Sequence, residues 1–244
     1  NKTIFKPETF YVVKKFIKDL SQQCPVFVIN GNHDMLESNT QRMDALTPTV
    51  ADLKNVHYFS LSGTYTVNED YMFSIISLQD TTESTIKDTI QTVRASSKEH
   101  PERKVIGMYH GTLQNVLKIE VEKKLLSISD FDYCDITLLG DIHKRQNLEP
   151  HIGYAGSLIQ QNHGETITGH GGLLWDIKNK QAKQFDIKND YSFVDIVCTK
   201  GLWSNSHTTL TPNIYARFLI DSETNEYQVT EITKELEKRV KSCI

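Results

Sequence analysis

A chain of 244 residues is long enough to bury a sizeable core, and it suits one domain or one domain with a small appendage. With 38% hydrophobic and 24% charged residues, and no apolar run near the ~20 residues of a membrane span, it excludes a helical membrane protein. The net charge of −4 argues against a protein that coats nucleic acid nonspecifically, although a bound cation or a local basic patch could still hold a phosphate.

Residues 7–22 open with Pro7 and Glu8 and place Phe10, Val13, Phe16, Ile17 and Leu20 at helical spacing, which predicts a half-buried helix. Val26–Ile29 is a short continuous apolar run closed by a glycine turn, as expected of a strand covered on both faces. Strands at 56–60, 64–68 and 71–78 follow, with short polar turns that suggest antiparallel neighbours. In residues 83–97, Ile86, Ile90 and Val93 share a helix face. Apolar runs recur at 105–111 (VIGMYHG) and 136–143 (ITLLGDIH), and the stretch 113–128 between them reads equally as helix or strand. Further strands are expected at 172–177 and 183–187. After about residue 190 the pattern changes to YSFVDIVC, a polar stretch to Pro212, NIYARFLI, and a sparse helix carrying Val229, Ile232, Leu236 and Val240. The whole is an α/β alternation with mixed sheets (1–189) and a small β/α appendage (190–244).

Three of the apolar runs end in polar, ligand-type residues: Asn32, His33 and Asp34 after the first, His110 after the second, Asp141 and His143 after the third. Ligands collect beyond the carboxyl ends of strands in open α/β sheets, so the three ends could converge on one crevice. Imidazole nitrogens with carboxylate and amide oxygens, and no cysteine, suit a divalent ion such as Mn, Fe, Mg or Zn without choosing among them. Singly, each piece has a plain reading. His110 or His143 alone is most often a core or surface histidine, and Asn30-Gly31-Asn32 alone is a turn. Their shared context, strand end plus glycine (Gly31, Gly111, Gly140), points to a site.

GNHD, MYHG and LLGDIH in this order resemble the motif series of the calcineurin-like dimetal phosphoesterases. DFDYCDITLLGDIHKRQ and HIGYAGSLIQQNHGE are closer still to the DNA nuclease subunit of SbcCD-type double-strand-break repair complexes, including viral and phage relatives. The resemblance covers about residues 1–190 and only weakly the start of that family's capping domain. It implies a four-layer α/β/β/α sandwich and metal-dependent exo- and endonuclease activity through a two-metal-activated hydroxide. It implies two divalent cations, manganese first, with magnesium, iron or zinc as alternatives. Asn32, His110 and Asp141 would bind one cation and His143 the other, His33 would touch the scissile phosphate, and Asp34 would orient it. Two such ions about 3.5–4 Å apart can stabilise both the attacking and the leaving oxygen. Lys144 and Arg145 could contact the phosphate backbone, or simply form a solvated loop.

The chain departs from the family in two ways. Gly140-Asp141-Ile142-His143 stands where the family has GHxH, so a carboxylate replaces an imidazole. The family's Asp-x-His and Gly-Asp motifs are missing, and they are expected upstream of Asn1 with the first strands, so these 244 residues alone should bind metal weakly and hydrolyse little.

The resemblance further implies DNA as substrate, a homodimer built through residues 7–22 and 40–46, and an SbcC-type coiled-coil ATPase as partner; no GxxxxGK[ST] occurs here. The scattered cysteines 24, 134, 198 and 243 suit reduced thiols, and no signal peptide opens the residues given; a cytoplasmic, nucleoid or host-cell location follows, with no membrane partner. Ser157 is assigned to loop architecture, His163 to the surface, and Trp175 and Trp203 to packing. Two other functions compete: a phosphoesterase of the same fold acting on a cyclic nucleotide, phosphoprotein or small phosphodiester, and a non-catalytic scaffold.

Overall fold

The computed structural model describes residues 6–36, 38–114, 116, 126–205 and 210–244. The ambiguous stretch 113–128 falls largely outside them. The chain divides into two compact units, Asn1–Tyr154 with Trp175–Lys183, and Ala155–Leu174 with Gln184–Ile244. The second unit thus takes in residues on both sides of position 190.

The first unit opens with helix α1 (Pro7–Ser21), which has Pro7 in its first turn, Glu8 near its N-terminus and Lys18 in its last turn, where the charges oppose the helix dipole. Of the five apolar positions expected to face a core, only Ile17 is buried, while Phe10, Phe16 and Leu20 stay exposed. The reason is the width of its neighbour: α1 lies against strand β1 (Val26–Ile29) and helix α2 (Leu46–Val50), and β1 belongs to a sheet of only two strands. Its partner β2 (Val56–Phe59) runs parallel, pairing Val26 with Val56 and Ile29 with Phe59. The expected antiparallel neighbour is therefore corrected here. A connection long enough to hold α2 permits a parallel crossover. The residues of β1 are half-buried, not covered on both faces.

Strands β3 (Gly63–Thr66), β4 (Tyr71–Ile76), β5 (Lys104–His110), β6 (Ile136–Gly140), β7 (Gln146–Glu149) and β8 (Ile152–Tyr154) form one mixed sheet in the order β3-β4-β5-β6-β8-β7. Its middle pairs are parallel and its two edge pairs antiparallel. Helix α3 (Glu83–Glu99), N-capped by Thr82, supplies the crossover between β4 and β5. Successive side chains of β4, β5 and β6 enter two different apolar clusters, as a period of two requires. Met72, Ile76, Val105, Tyr109 and Leu139 pack with Val93 of α3, Phe131 and Tyr154. Phe73, Ile75, Ile106, Met108 and Ile136 pack on Phe59, with Phe27, Ile29 and Trp175 against them. This mixed α/β core accordingly buries apolar side chains on both faces of its large sheet.

Strands β9 (Gly171–Asp176) and β10 (Gln181–Asp186) pair with each other. The second unit is built on β11 (Tyr191–Thr199), β12 (Leu202–Asn205), β13 (Asn213–Ile220) and β14 (Ser242–Cys243), in the order β12-β11-β13-β14. Helix α4 (Glu226–Glu237) starts at a reciprocal Asn225–Gln228 capping box. Its Ile232 and Leu236 close a core with Val194, Ile196, Cys198 and Ile214 from one sheet face. Among the described residues no helix is long and apolar enough to cross a membrane.

Candidate active site

The site residues named from the sequence, 32–34, 110, 141 and 143–145, all belong to the first unit. Strand β1 ends in a turn that closes on itself: the Asp34 amide donates to the Gly31 carbonyl at 3.0 Å, and the Gly31 amide donates to Asp34 Oδ2 at 2.8 Å. One aspartate thus folds the backbone that carries Asn32 and His33. Beneath it, Asn30 is 1% exposed, and both ends of its amide are hydrogen-bonded. It donates to Gln79 Oε1 at 2.9 Å and accepts from the Ser77 hydroxyl at 3.0 Å, while Gln79 Nε2 donates to the Thr40 carbonyl at 3.0 Å. This buried polar chain ties the turn to the end of β4 and to the loop at residue 40.

The other two strand ends are neighbours by register, because His110 of β5 pairs with Gly140 of β6. The His110 ring fills the space above both adjoining glycines. A Cβ on Gly140 would lie 2.6 Å from His110 Nδ1, and one on Gly31 would lie 2.9 Å from Cε1 and Nε2. The first and second strand ends therefore meet in space although they belong to different sheets. Just past Gly140, Asp141 adopts φ +91°, a left-handed conformation that a side chain disfavours. Its Oδ1 lies 3.9 Å from His110 Nε2, too far for a hydrogen bond, and its Oδ2 accepts from the Thr112 hydroxyl at 2.9 Å.

Charge links the remaining members. Burial pushes the His110 imidazole below its ordinary pKa; Asp141 and Asp34 pull it back up, and His33 and His143 push it further down. Burial also raises the Asp34 carboxyl, against the Gly31 amide bond and the nearby His110 and His33. His33, Asp34, His110, Asp141 and His143 thus share one electrostatic neighbourhood. His33, His143 and Lys144 are exposed there, and Asn32, Asp34 and Arg145 half-buried.

The donor set accommodates a cation in part. A separation of 3.9 Å between His110 Nε2 and Asp141 Oδ1 is within the ~4.3 Å that an ion about 2.1–2.2 Å from each could span. Among the described residues no group of three His, Cys, Asp or Glu side chains is arranged to hold a metal, so the pair is a two-donor start that amide, water or further ligands would have to complete.

The sequence reading missed the residues that hold this pair. Tyr154, fully buried, donates its hydroxyl to the Gly111 carbonyl at 2.8 Å and accepts from the Leu113 amide at 3.0 Å, so one phenol clamps both sides of Thr112. Thr112 follows the His110-Gly111 pair directly, and its position was the only available signal. Elsewhere, Ser157 bonds His170 Nδ1 at 3.0 Å while His170 Nε2 bonds the Thr166 carbonyl at 2.7 Å; the carbonyl requires Nε2 to donate, so Nδ1 accepts from Ser157 in a tie within the loop. His163 is not a plain surface residue, because its Nδ1 lies 2.8 Å from Asp195 Oδ1 and its ring meets Phe193 edge-on.

Two known proteins are similar to the chain. Over 252 residues it is 31% identical to an uncharacterised protein of Acanthamoeba polyphaga mimivirus, a match that takes in 98% of this chain and 18% of that protein. Over 190 residues it is 26% identical to the SbcD component of the nuclease SbcCD of Staphylococcus saprophyticus, covering 68% of this chain and 49% of that protein. The chain therefore spans less than half the length of either relative. No family model matches it.

Proposed function

We propose that the chain is the phosphoesterase part of a metal-dependent DNA nuclease subunit of the SbcD type. The observation that carries this reading is the meeting of three strand ends, where His110 packs on Gly31 and Gly140 and faces Asp141. The distant similarity to an SbcCD nuclease subunit supports it. The two-sheet core with helices α1 and α3 is consistent with a four-layer α/β/β/α metallophosphoesterase sandwich, with residues 1–189 as its catalytic domain and 190–244 as the start of a capping-like domain.

In this reading Asn32, His110 and Asp141 hold one divalent cation and His143 a second, with manganese preferred. Bound cations would supply electrophilic stabilisation of the phosphodiester and a hydroxide near neutral pH. The protein's own contribution is positional. Burial keeps His110 in the neutral form that offers a lone pair. The Asp34–Gly31 bond fixes the turn that presents His33, an exposed imidazole, toward the phosphate. Lys144 and Arg145 flank the DNA backbone.

DNA and an SbcC-type ATPase are the proposed partners, inside the cell or inside an infected host. A homodimer is supported by the apolar residues that α1 leaves exposed, Tyr11, Val12, Phe16 and Leu20, and by Met43. A non-catalytic scaffold that keeps the fold is the second reading, and retention of Asn32, His33, Asp34, His110 and His143 disfavours it. Manganese-dependent release of nucleotides from linear DNA by the full-length gene product separates the two. Release that is lost in His33→Ala supports the nuclease; no release, or release indifferent to His33, overturns it.

A further inference from the structure

We infer that Gln79 is a positioning residue for His33: acting through the Asn30 side chain, it fixes where the turn after β1 holds that imidazole. This rests on the nuclease reading above, in which His33 meets the phosphate. The turn begins one residue after Asn30, which is buried, so the seat of the Asn30 amide sets where the turn starts. Gln79, half-buried just past β4, decides how that amide sits.

The direction of these bonds follows from their far end. A backbone carbonyl can only accept, so the Thr40 carbonyl, 3.0 Å away, requires Gln79 to present Nε2 there. Oε1 then turns to Asn30, which must offer Nδ2 at 2.9 Å and leave Oδ1 toward the Ser77 hydroxyl at 3.0 Å. Gln79 is itself held at the backbone, because its amide donates to Ser77 Oγ at 3.1 Å. The glutamine also grips the loop that follows the turn. The Ala45 amide donates to the Asp34 carbonyl at 2.8 Å, which closes residues 35–44 into a loop, and Gln79 bonds that loop at Thr40. The turn is thus held by the Asp34 carboxylate on the Gly31 amide, by the His110 ring over Gly31, and by Gln79 through Asn30. A methionine at position 79 would fill a similar length yet satisfy neither Asn30 nor Thr40, and a buried amide without its partner is free to turn.

Hydrogen exchange of the metal-free full-length gene product, read by mass spectrometry, tests the positioning. In Gln79→Met the segment 30–35, which holds the Gly31 and Asp34 amide bonds, should exchange at least about tenfold faster than in the wild type, after the acceleration of the β5 segment 104–110 is divided out. In an Asn30→Leu background the same substitution should change the turn less than about twofold, because Gln79 acts through Asn30. Gln79→Glu at about pH 8, well above the carboxyl range, is the second variant. It keeps the side-chain shape and an acceptor for Asn30 but sets a carboxylate oxygen against the Thr40 carbonyl, and it too should loosen 30–35. A turn that gains no more than β5 does in either variant overturns the inference. Manganese-dependent release of nucleotides from linear DNA tests the consequence: kcat in Gln79→Met should fall about ten- to hundredfold, with KM for DNA within about twofold of the wild type. A loosened turn with wild-type kcat overturns the role of Gln79 while the nuclease reading stands. A loosened turn in a protein whose wild type releases no nucleotide supports the hold on the turn and overturns the nuclease reading.

Discussion

His110 occupies the volume that a side chain at Gly31 would need, so the end of β5 and the turn after β1 interlock through one imidazole ring and one missing Cβ. The contact explains why the run that begins with Val26 must end in glycine at this point. It also carries the consequence that the site and the packing of the two sheets are the same structural feature.

Gly31→Ala is therefore expected to displace His110 or the turn and to lower stability by about 1–3 kcal/mol, the usual result of overpacking. Gly140→Ala should behave alike, since its Cβ would meet His110 Nδ1 at 2.6 Å. Urea denaturation of each variant beside its double mutant with His110→Ala checks the cause: removing the ring should recover much of the loss. Unchanged losses would show that the glycines matter for another reason.

At Asp141 the backbone, φ +91°, separates two substitutions that both delete the carboxylate. Asp141→Gly should be more stable than Asp141→Ala by about 1 kcal/mol, because glycine enters the left-handed region without a Cβ penalty. Thermal melts of the pair decide it. Equal stability would contradict the strained conformation.

Tyr154→Phe removes a single oxygen that satisfies a buried amide and a buried carbonyl. A loss of about 1–3 kcal/mol is expected from the two groups left unpaired. Hydrogen exchange offers a local check, since the Leu113 amide should exchange faster in the variant while the β4 amides do not.

In the second unit, Arg217 bonds both oxygens of Asp195, at 2.9 and 2.7 Å, and holds its carboxyl below the ordinary range, with His163 adding to the effect. A depressed folded-state pKa stabilises above the unfolded value, about pH 4, and the contribution disappears as pH falls through the lower folded value. Asp195→Asn should thus be less stable than the wild type at pH 7, and the difference should shrink as pH falls below the unfolded-state value. A stability difference that does not shrink as the solution is acidified would refute the linkage.

Local patterns made many elements legible. The apolar spacing of residues 83–97 and the runs at 26–29, 105–111 and 136–143 correspond to α3, β1, β5 and β6, because burial imposes a period that the side chains must follow. The short strands β7, at the sheet edge, and β8, inside it, and the two-residue β14 left no such trace; β8 and β14 take their places by parallel pairing with β6 and β13. Helix α1 shows the converse failure. Its apolar stripe reads as a core face, yet a two-stranded sheet cannot cover it.

By itself the sequence determined which chemistry is available, an Asn-His-Asp turn, a histidine and an Asp-x-His, each at a strand end, since residue type and strand period are local properties. Only the tertiary structure decided that β1 lies in a separate sheet and still meets β5, that His110 fills the space above two glycines, that Thr112 bonds Asp141, and that Tyr154 bonds the backbone on both sides of Thr112. Those relations depend on contacts between segments far apart in the chain, where no spacing rule acts and where packing volume and hydrogen-bond satisfaction select the arrangement.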